Sequence, residues 1–169
     1  MEKISPPQGR MELIDASMNQ NLPSVFVDFA HTPGALKAAL LALRLHCKRK
    51  IWCVFGCGGD RDKGKRKLMG LIAKDYADYV VVTSDNPRNE CPENIISEIL
   101  LGSSDAAHTI IDRSTAINFA IKSASNQDVI LIAGKGHEDY QLIENKKINF
   151  SDNLVSQKAL ELRLKEINK

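Results

Sequence analysis

The chain has 169 residues, 43% of them hydrophobic and 26% charged, enough apolar material for one globular domain with its own core. A net charge of +2 and an aromatic share of only 5% argue against a nucleic-acid partner, which would call for a strong positive field and rings on which bases stack. No stretch reaches the roughly 18 consecutive apolar residues of a membrane span, and no charged-then-apolar leader opens the sequence, so no membrane partner is expected.

Residues 1–9, "MEKISPPQG", read as a linker, and residues 1–169 as a single domain otherwise. After the linker the pattern alternates. "VFVDF" (25–29) is a short strand, followed by a helix capped by Thr32 with Pro33 at its first position and Leu36, Leu40, Leu43 and Cys47 on one face. "IWCVF" (51–55) precedes a helix whose apolar positions are Leu68, Met69, Ile72, Ala73 and Tyr76. "YVVVT" (79–83) precedes a helix opened by Pro92, with Ile95, Ile96 and Ile99 inward. "HTIID" (108–112) leads into the helix "STAINFAIKSA", and "DVILIA" (128–133) is the most hydrophobic strand. A hairpin at "YQLIENKKINF" and a helix from about Asp152 close the chain. Continuous apolar strands separated by amphipathic helices predict an α/β fold with a mainly parallel sheet covered on both faces.

In open α/β sheets, ligands bind outside the carboxyl ends of the strands. Those exits read "DFAHTPG", "GCGGDRDKGKR", "SDNPRNE", "DRS" and "AGKGHEDY", and they concentrate glycine with Asp, Arg, Lys, His and Glu. The opposite edge reads as ordinary surface loop. Cys47, Cys53, Cys57 and Cys91 form no C-x-x-C pair and the four histidines lack ligand spacing, so reduced thiols in a cytoplasmic chain, without a structural metal, are expected.

Two loops invite a nucleotide label and fail it. In "GCGGDR", Arg61 stands where the dinucleotide fingerprint has its third glycine. Gly59 and Gly64-Lys65 match G-x-x-x-x-G-K, yet Arg66 replaces the hydroxyl residue that would hold magnesium. What remains is a flexible turn rich in backbone donors, with Arg61, Lys63 and Lys65 suited to an anionic ligand. In "SDNPR", Pro87 fixes the backbone and Asp85 and Asn86 hold the turn, so that Arg88 is aimed, and its planar guanidinium suits bidentate capture of a carboxylate. In "AGKGHED", Gly134 and Gly136 admit close approach and Glu138 offers an anion for an ammonium. A ligand with both carboxylates and amines satisfies the set.

The motifs "GRMEL", "VDFAHTPGAL", "FGCGGDRDKGKR", "SDNPRNE" and "AGKGHEDYQ" together resemble the C-terminal domain of the Mur ligase family, in its diaminopimelate-adding branch, from about Gly9 to the last helix. The resemblance implies a Rossmann-like, mainly parallel α/β domain that supplies the amino-acid site and part of the ATP site. It assigns Arg61, Asp85, Asn86, Pro87, Arg88, Gly134 and Glu138 to meso-diaminopimelate, with Arg88 on the distal carboxylate that lysine lacks. It places Arg10 and Asp28 facing ATP, with His31 beside them. The implied reaction phosphorylates the D-glutamate carboxylate of UDP-N-acetylmuramoyl-L-alanyl-D-glutamate with ATP and magnesium, and the amine of diaminopimelate then attacks the acyl phosphate. The family's UDP-sugar domain and central ATPase domain are missing from the sequence, so it reads as a piece of a longer cytoplasmic enzyme, inactive alone, whose partners include those two domains. Two other classes stay open: a binding or regulatory module for an acidic amino acid, and a lysine-adding or polyglutamate ligase domain.

Overall fold

The computed structural model describes residues 9–14, 21–103 and 107–168. Of the expected linker, only Gly9 falls among them.

Six strands form one sheet in the order β1-β2-β6-β3-β4-β5. They are β1 (Glu12–Leu13), β2 (Ser24–Asp28), β3 (Ile51–Phe55), β4 (Tyr79–Val82), β5 (Ala107–Thr109) and β6 (Val129–Ala133). All pair in parallel except β1, which runs antiparallel to β2 at the edge. The two-residue β1 is too short to leave a periodic signal, and β5 ends three residues before the expected "HTIID" strand does. Strand β6 lies between β2 and β3, with Ile132 opposite both Val27 and Val54. The chain crosses the sheet in one direction from β2 through β3 and β4 to β5, and then returns to insert β6 between β2 and β3, so the β6 exit lies between theirs.

Period-2 alternation divides the β3 side chains between two cores. Ile51, Cys53 and Phe55 pack with α1 (Pro33–His46), α2 (Gly64–Tyr76) and α3 (Pro92–Ser103). Trp52 and Val54 pack with α4 (Arg113–Ser123) and α5 (Asp152–Ile167) on the other face. Helix α1 starts as its sequence predicts: Thr32 accepts a hydrogen bond from the Ala35 amide at 3.3 Å and Pro33 occupies the first turn.

Helix α2 corrects the sequence reading. Met69 and Ala73 are buried as expected, but Leu68 is 52% exposed, and the inward position belongs to Arg66, at 0% exposure. Arg66 Nη1 donates to Glu90 and Glu98, both at 2.9 Å, and Nη2 to the Gly58 carbonyl at 3.2 Å. Three acceptors replace the water that burial removes, and they turn the charged residue in and the leucine out.

Arg113 and Asp152, in the first turns of α4 and α5, form an ion pair with both side chains at 0% exposure. Nε and Nη2 of Arg113 each reach a different carboxylate oxygen at 2.8 Å. Burial opposes the guanidinium's charge, but Asp152 outweighs it and raises the pKa of Arg113 above its ordinary value. Removing one partner of such a pair leaves the other charge buried, so Asp152→Ala costs about 3–5 kcal/mol. The joint replacement Arg113→Met with Asp152→Leu recovers most of that loss. Urea unfolding of the three proteins checks this; a loss below about 1 kcal/mol for Asp152→Ala would show that water reaches the pair.

Candidate functional site

Four strand exits converge on one open cleft of about 490 Å³. The β2 exit contributes Phe29, His31 and Thr32, and the β3 exit Gly58, Arg61, Asp62 and Lys65. The β4 exit contributes Asp85, Asn86 and Arg88, and the β6 exit Gly134 and Glu138. Of the sequence-derived candidates, Arg61, Asp85, Asn86, Arg88, Gly134, Glu138 and His31 line this space. Pro87 is buried in the loop that presents Arg88, and Arg10 and Asp28 stand outside the lining.

The β4 exit is the best-braced loop of the site. Arg88 has φ +52°, the left-handed region that costs a side-chain-bearing residue about 1–3 kcal/mol unless its surroundings impose it. The bracing comes from the hairpin β7 (Tyr140–Ile143) and β8 (Lys146–Asn149). The Arg88 amide donates to Leu142 O at 2.9 Å, and the Glu144 amide donates to Arg88 O at 2.6 Å. Leu142 N also donates to Asn86 Oδ1, and Gln141 Nε2 to Asp85 O. The hairpin was legible in the sequence, whereas its role as an extra strand beside "DNPR" was not, because that pairing joins residues more than fifty apart.

The Arg88 guanidinium lies against the β3 exit, with Nη1 donating to Gly59 O at 2.9 Å and more weakly to Asn86 O at 3.4 Å. A Cβ on Gly59 would fall 1.9 Å from Pro87 O, so only glycine permits the two loops to meet this closely. No carboxylate pairs with Arg61 or Arg88 among the described residues, and both lie at the cleft.

Facing them is an acidic group. Glu138 Oε2 accepts from Asn86 Nδ2 at 3.0 Å, and Asp85, 6% exposed, points its carboxylate toward Lys135 at 3.2 Å. Lys135 itself is completely buried. The sequence reading passed over it, although it sits between Gly134 and Gly136 in "AGKGHED", and paired positive-φ glycines around a charged residue are a usable signal.

Two expectations change with the geometry. The β3-exit turn is not a free donor nest: Gly59 N donates to Asn86 O, Asp60 N to Glu90 and Gly64 N to Asp62. The fifth exit, "DRS", does not reach the cleft, because Arg113 is spent on Asp152, Ala133 O and Ser84 O. Asp28 holds backbone, accepting from Met11 N at 2.8 Å and Ala30 N at 2.7 Å. Arg10 and His31 are exposed on the same edge, and His31 Nδ1–H donates to Phe29 O at 2.8 Å. Among the described residues no three His, Cys, Asp or Glu come together as a metal would require. Cys57 is no nucleophile, since burial pushes its thiol up to about 12.

A cavity of about 510 Å³ at the opposite edge is of a different kind. Of its two acids, Asp78 is used by Arg44, Lys50 and the Ile51 amide, and Asp128 by the Lys50 and Ser125 amides and the Trp52 indole. No helix among the described residues is long and apolar enough to cross a membrane.

The fold is an open Rossmann-like sheet whose glycine loop lacks the dinucleotide pattern and whose cleft sets Arg61 and Arg88 against Asp85 and Glu138. The chain belongs to the Mur ligase family, whose domain described as "Mur ligase, glutamate ligase domain" matches residues 9–136. It is similar, at 42% identity and TM-score 0.86, to a UDP-N-acetylmuramoyl-L-alanyl-D-glutamate–2,6-diaminopimelate ligase, over 96% of this chain and 33% of that one. It therefore spans about a third of the length of that ligase. More distant folds are the murein peptide ligase of Psychrobacter arcticus (20% identity, TM-score 0.61, 90% of this chain and 29% of that one) and the bifunctional folylpolyglutamate synthase/dihydrofolate synthase of Yersinia pestis with AMPPNP and Mn (20%, TM-score 0.63, 79% and 30%).

Glu90 ties this site to pH. Its hydrogen bonds from Arg66 hold its carboxyl down at about 2, against an ordinary 4.5. Because the folded-state pKa is depressed, the stabilisation is complete above pH 4.5 and is lost as the pH falls toward 2. Glu90→Gln is therefore less stable than the parent at neutral pH, with a gap that closes across this acid range. Urea midpoints measured through that range check it; a gap independent of pH would remove the charge from the account.

Proposed function

We propose that this chain is the amino-acid-binding domain of the ATP-dependent ligase that adds meso-diaminopimelate to UDP-N-acetylmuramoyl-L-alanyl-D-glutamate in the cytoplasm. The observation that carries the reading is Arg88, held by a proline, a hairpin and a glycine contact at a cleft where no carboxylate among the described residues answers it. A ligand carboxylate completes that arrangement. Arg61 supplies a second cation, and Glu138 with Asp85 supplies the anionic side for an ammonium, so the cleft matches a ligand bearing two carboxylates and two amines. The 42% identity to a UDP-N-acetylmuramoyl-L-alanyl-D-glutamate–2,6-diaminopimelate ligase supports the same substrate.

The residues present fit contact with a nucleotide and do not fit a metal cage. Arg10 and His31 are exposed where another domain's nucleotide would meet them, and Asp28 fixes the backbone of Met11 beside them. ATP with magnesium supplies the phosphoryl group that activates the D-glutamyl carboxylate. This chain binds the incoming amino acid by its carboxylates at Arg61 and Arg88, leaves one amine directed out of the cleft, and keeps the other at Glu138. The isolated chain turns over no ATP and forms no amide; ATP hydrolysis by the purified chain above a protein-free control would overturn this.

In the complete ligase, Arg88→Ala lowers kcat/KM for diaminopimelate by roughly 30-fold or more, since losing one member of a desolvated charge pair costs about 2–5 kcal/mol. Lysine, which has no distal carboxylate, loses far less. The Gly59 contact gives Arg88 a bracing role as well, so Tm is measured alongside both kcat/KM values. Equal losses for the two amino acids, together with a lowered Tm, would leave bracing as the whole of its role.

A further inference from the structure

We infer that Lys135 is the positioning residue of the cleft, a buried cation that orders Asp85, Asn86 and Glu138 and leaves that group with one net negative charge for a ligand ammonium. The inference rests on the amino-acid reading for its ligand, and on the geometry alone for the ordering.

Lys135 is 0% exposed, and its ammonium has four oxygens around it. It donates to Asn86 Oδ1 and Tyr140 O, both at 2.8 Å, and lies 3.2 Å from Asp85 Oδ1 and 3.5 Å from Glu138 Oε2. The backbone is shaped to turn it inward. Gly134 has φ +119° and Gly136 φ +54°, and a Cβ on Gly134 would lie 2.6 Å from Asp85 Oδ2. With its Oδ1 held by Lys135, Asn86 is forced to direct its amide at Glu138, which sets the orientation of both side chains. Two carboxylates against one ammonium leave the excess negative charge. The other charged groups around it are Arg61, Asp62, Lys65 and Arg88 on the cleft wall, exposed His31, Arg113 behind Asp85, and Tyr140, whose ring lies 5.9 Å from the Lys135 ammonium.

Without the ammonium, Asn86 Oδ1 loses the donor that fixes its orientation, and Asp85 and Glu138 lose the cation they pair with. In the ¹⁵N-labelled 169-residue chain, Lys135→Met therefore releases the Asn86 side-chain amide from its contact with Glu138, and its pair of NMR resonances moves toward the position of a solvent-exposed amide. In the complete ligase the same variant raises the diaminopimelate KM at least about tenfold and leaves the KM values of ATP and the UDP-substrate in place. If Lys135→Met does not fold, Lys135→Met with Asp85→Asn removes one of the two uncompensated carboxylates and gives the same KM comparison, with Asp85→Asn alone as its reference. Unchanged Asn86 side-chain amide resonances, or an equal rise in all three KM values, would overturn the positioning role. A parent ligase with no preference for diaminopimelate would instead sink the substrate reading, and the Asn86 amide resonances would still decide the role of Lys135.

Discussion

Three buried cations hold the loop that follows β4, and the site depends on them. Arg113 donates to Ser84 O, Lys135 to Asn86 and toward Asp85, and Arg66 to Glu90, so that "SDNPRNE" is gripped at its start, middle and end. Each cation comes from a different segment: the start of α4, the β6 exit and the first turn of α2. Each is 0–1% exposed. An isolated buried charge is costly, and these persist because each has at least three oxygens around it. The same bonds that satisfy the cations make the loop rigid. Arg88 adopts its left-handed backbone inside that grip, with the hairpin completing it.

Separating spent charges from unspent ones is what locates the site. Asp28, Glu90, Arg66, Arg113 and Asp152 all belong to exit loops or the helix turns beside them, yet each is committed to a protein partner. Arg61 and Arg88 remain without a carboxylate among the described residues, and Glu138 retains partial exposure at the cleft. Charge density alone marked the whole edge of the sheet; partner assignment reduces it to one cleft with cations on one wall and anions on the other. That division is what a zwitterionic ligand with charges at both ends requires, whereas a nucleotide phosphate would face a wall of cations and amides.

Strand β6 shows how the scaffold creates this division. Its insertion between β2 and β3 places the glycine-flanked Lys135 between the "AHTP" and "GCGG" exits, and beside the β4 exit one strand further on. A sheet in simple sequential order would put "AGKGHED" at an edge, away from Asn86. The opposite end of the same strands carries acids of comparable number, but Asp78 and Asp128 are consumed by strand-start amides and the Trp52 indole.

The sequence by itself determined the α/β class, the positions of five strands of the main sheet and the hairpin, the N-terminus of α1, and the edge of the sheet where glycine and charge gather. These follow from local periodicity, from caps and from the concentration of glycine and charge at strand ends, all of which are written within a few residues of one another. It also carried the family likeness, through five ordered motifs. Only the tertiary structure decided that Leu68 faces solvent and Arg66 the interior, that "DRS" serves an ion pair, that the β3-exit amides are already bonded, and that Lys135 is the hub of the acidic wall. Each of these turns on which oxygen lies near which nitrogen across 24 to 56 residues of chain, and burial reverses the usual meaning of a charged residue wherever such a partner is found.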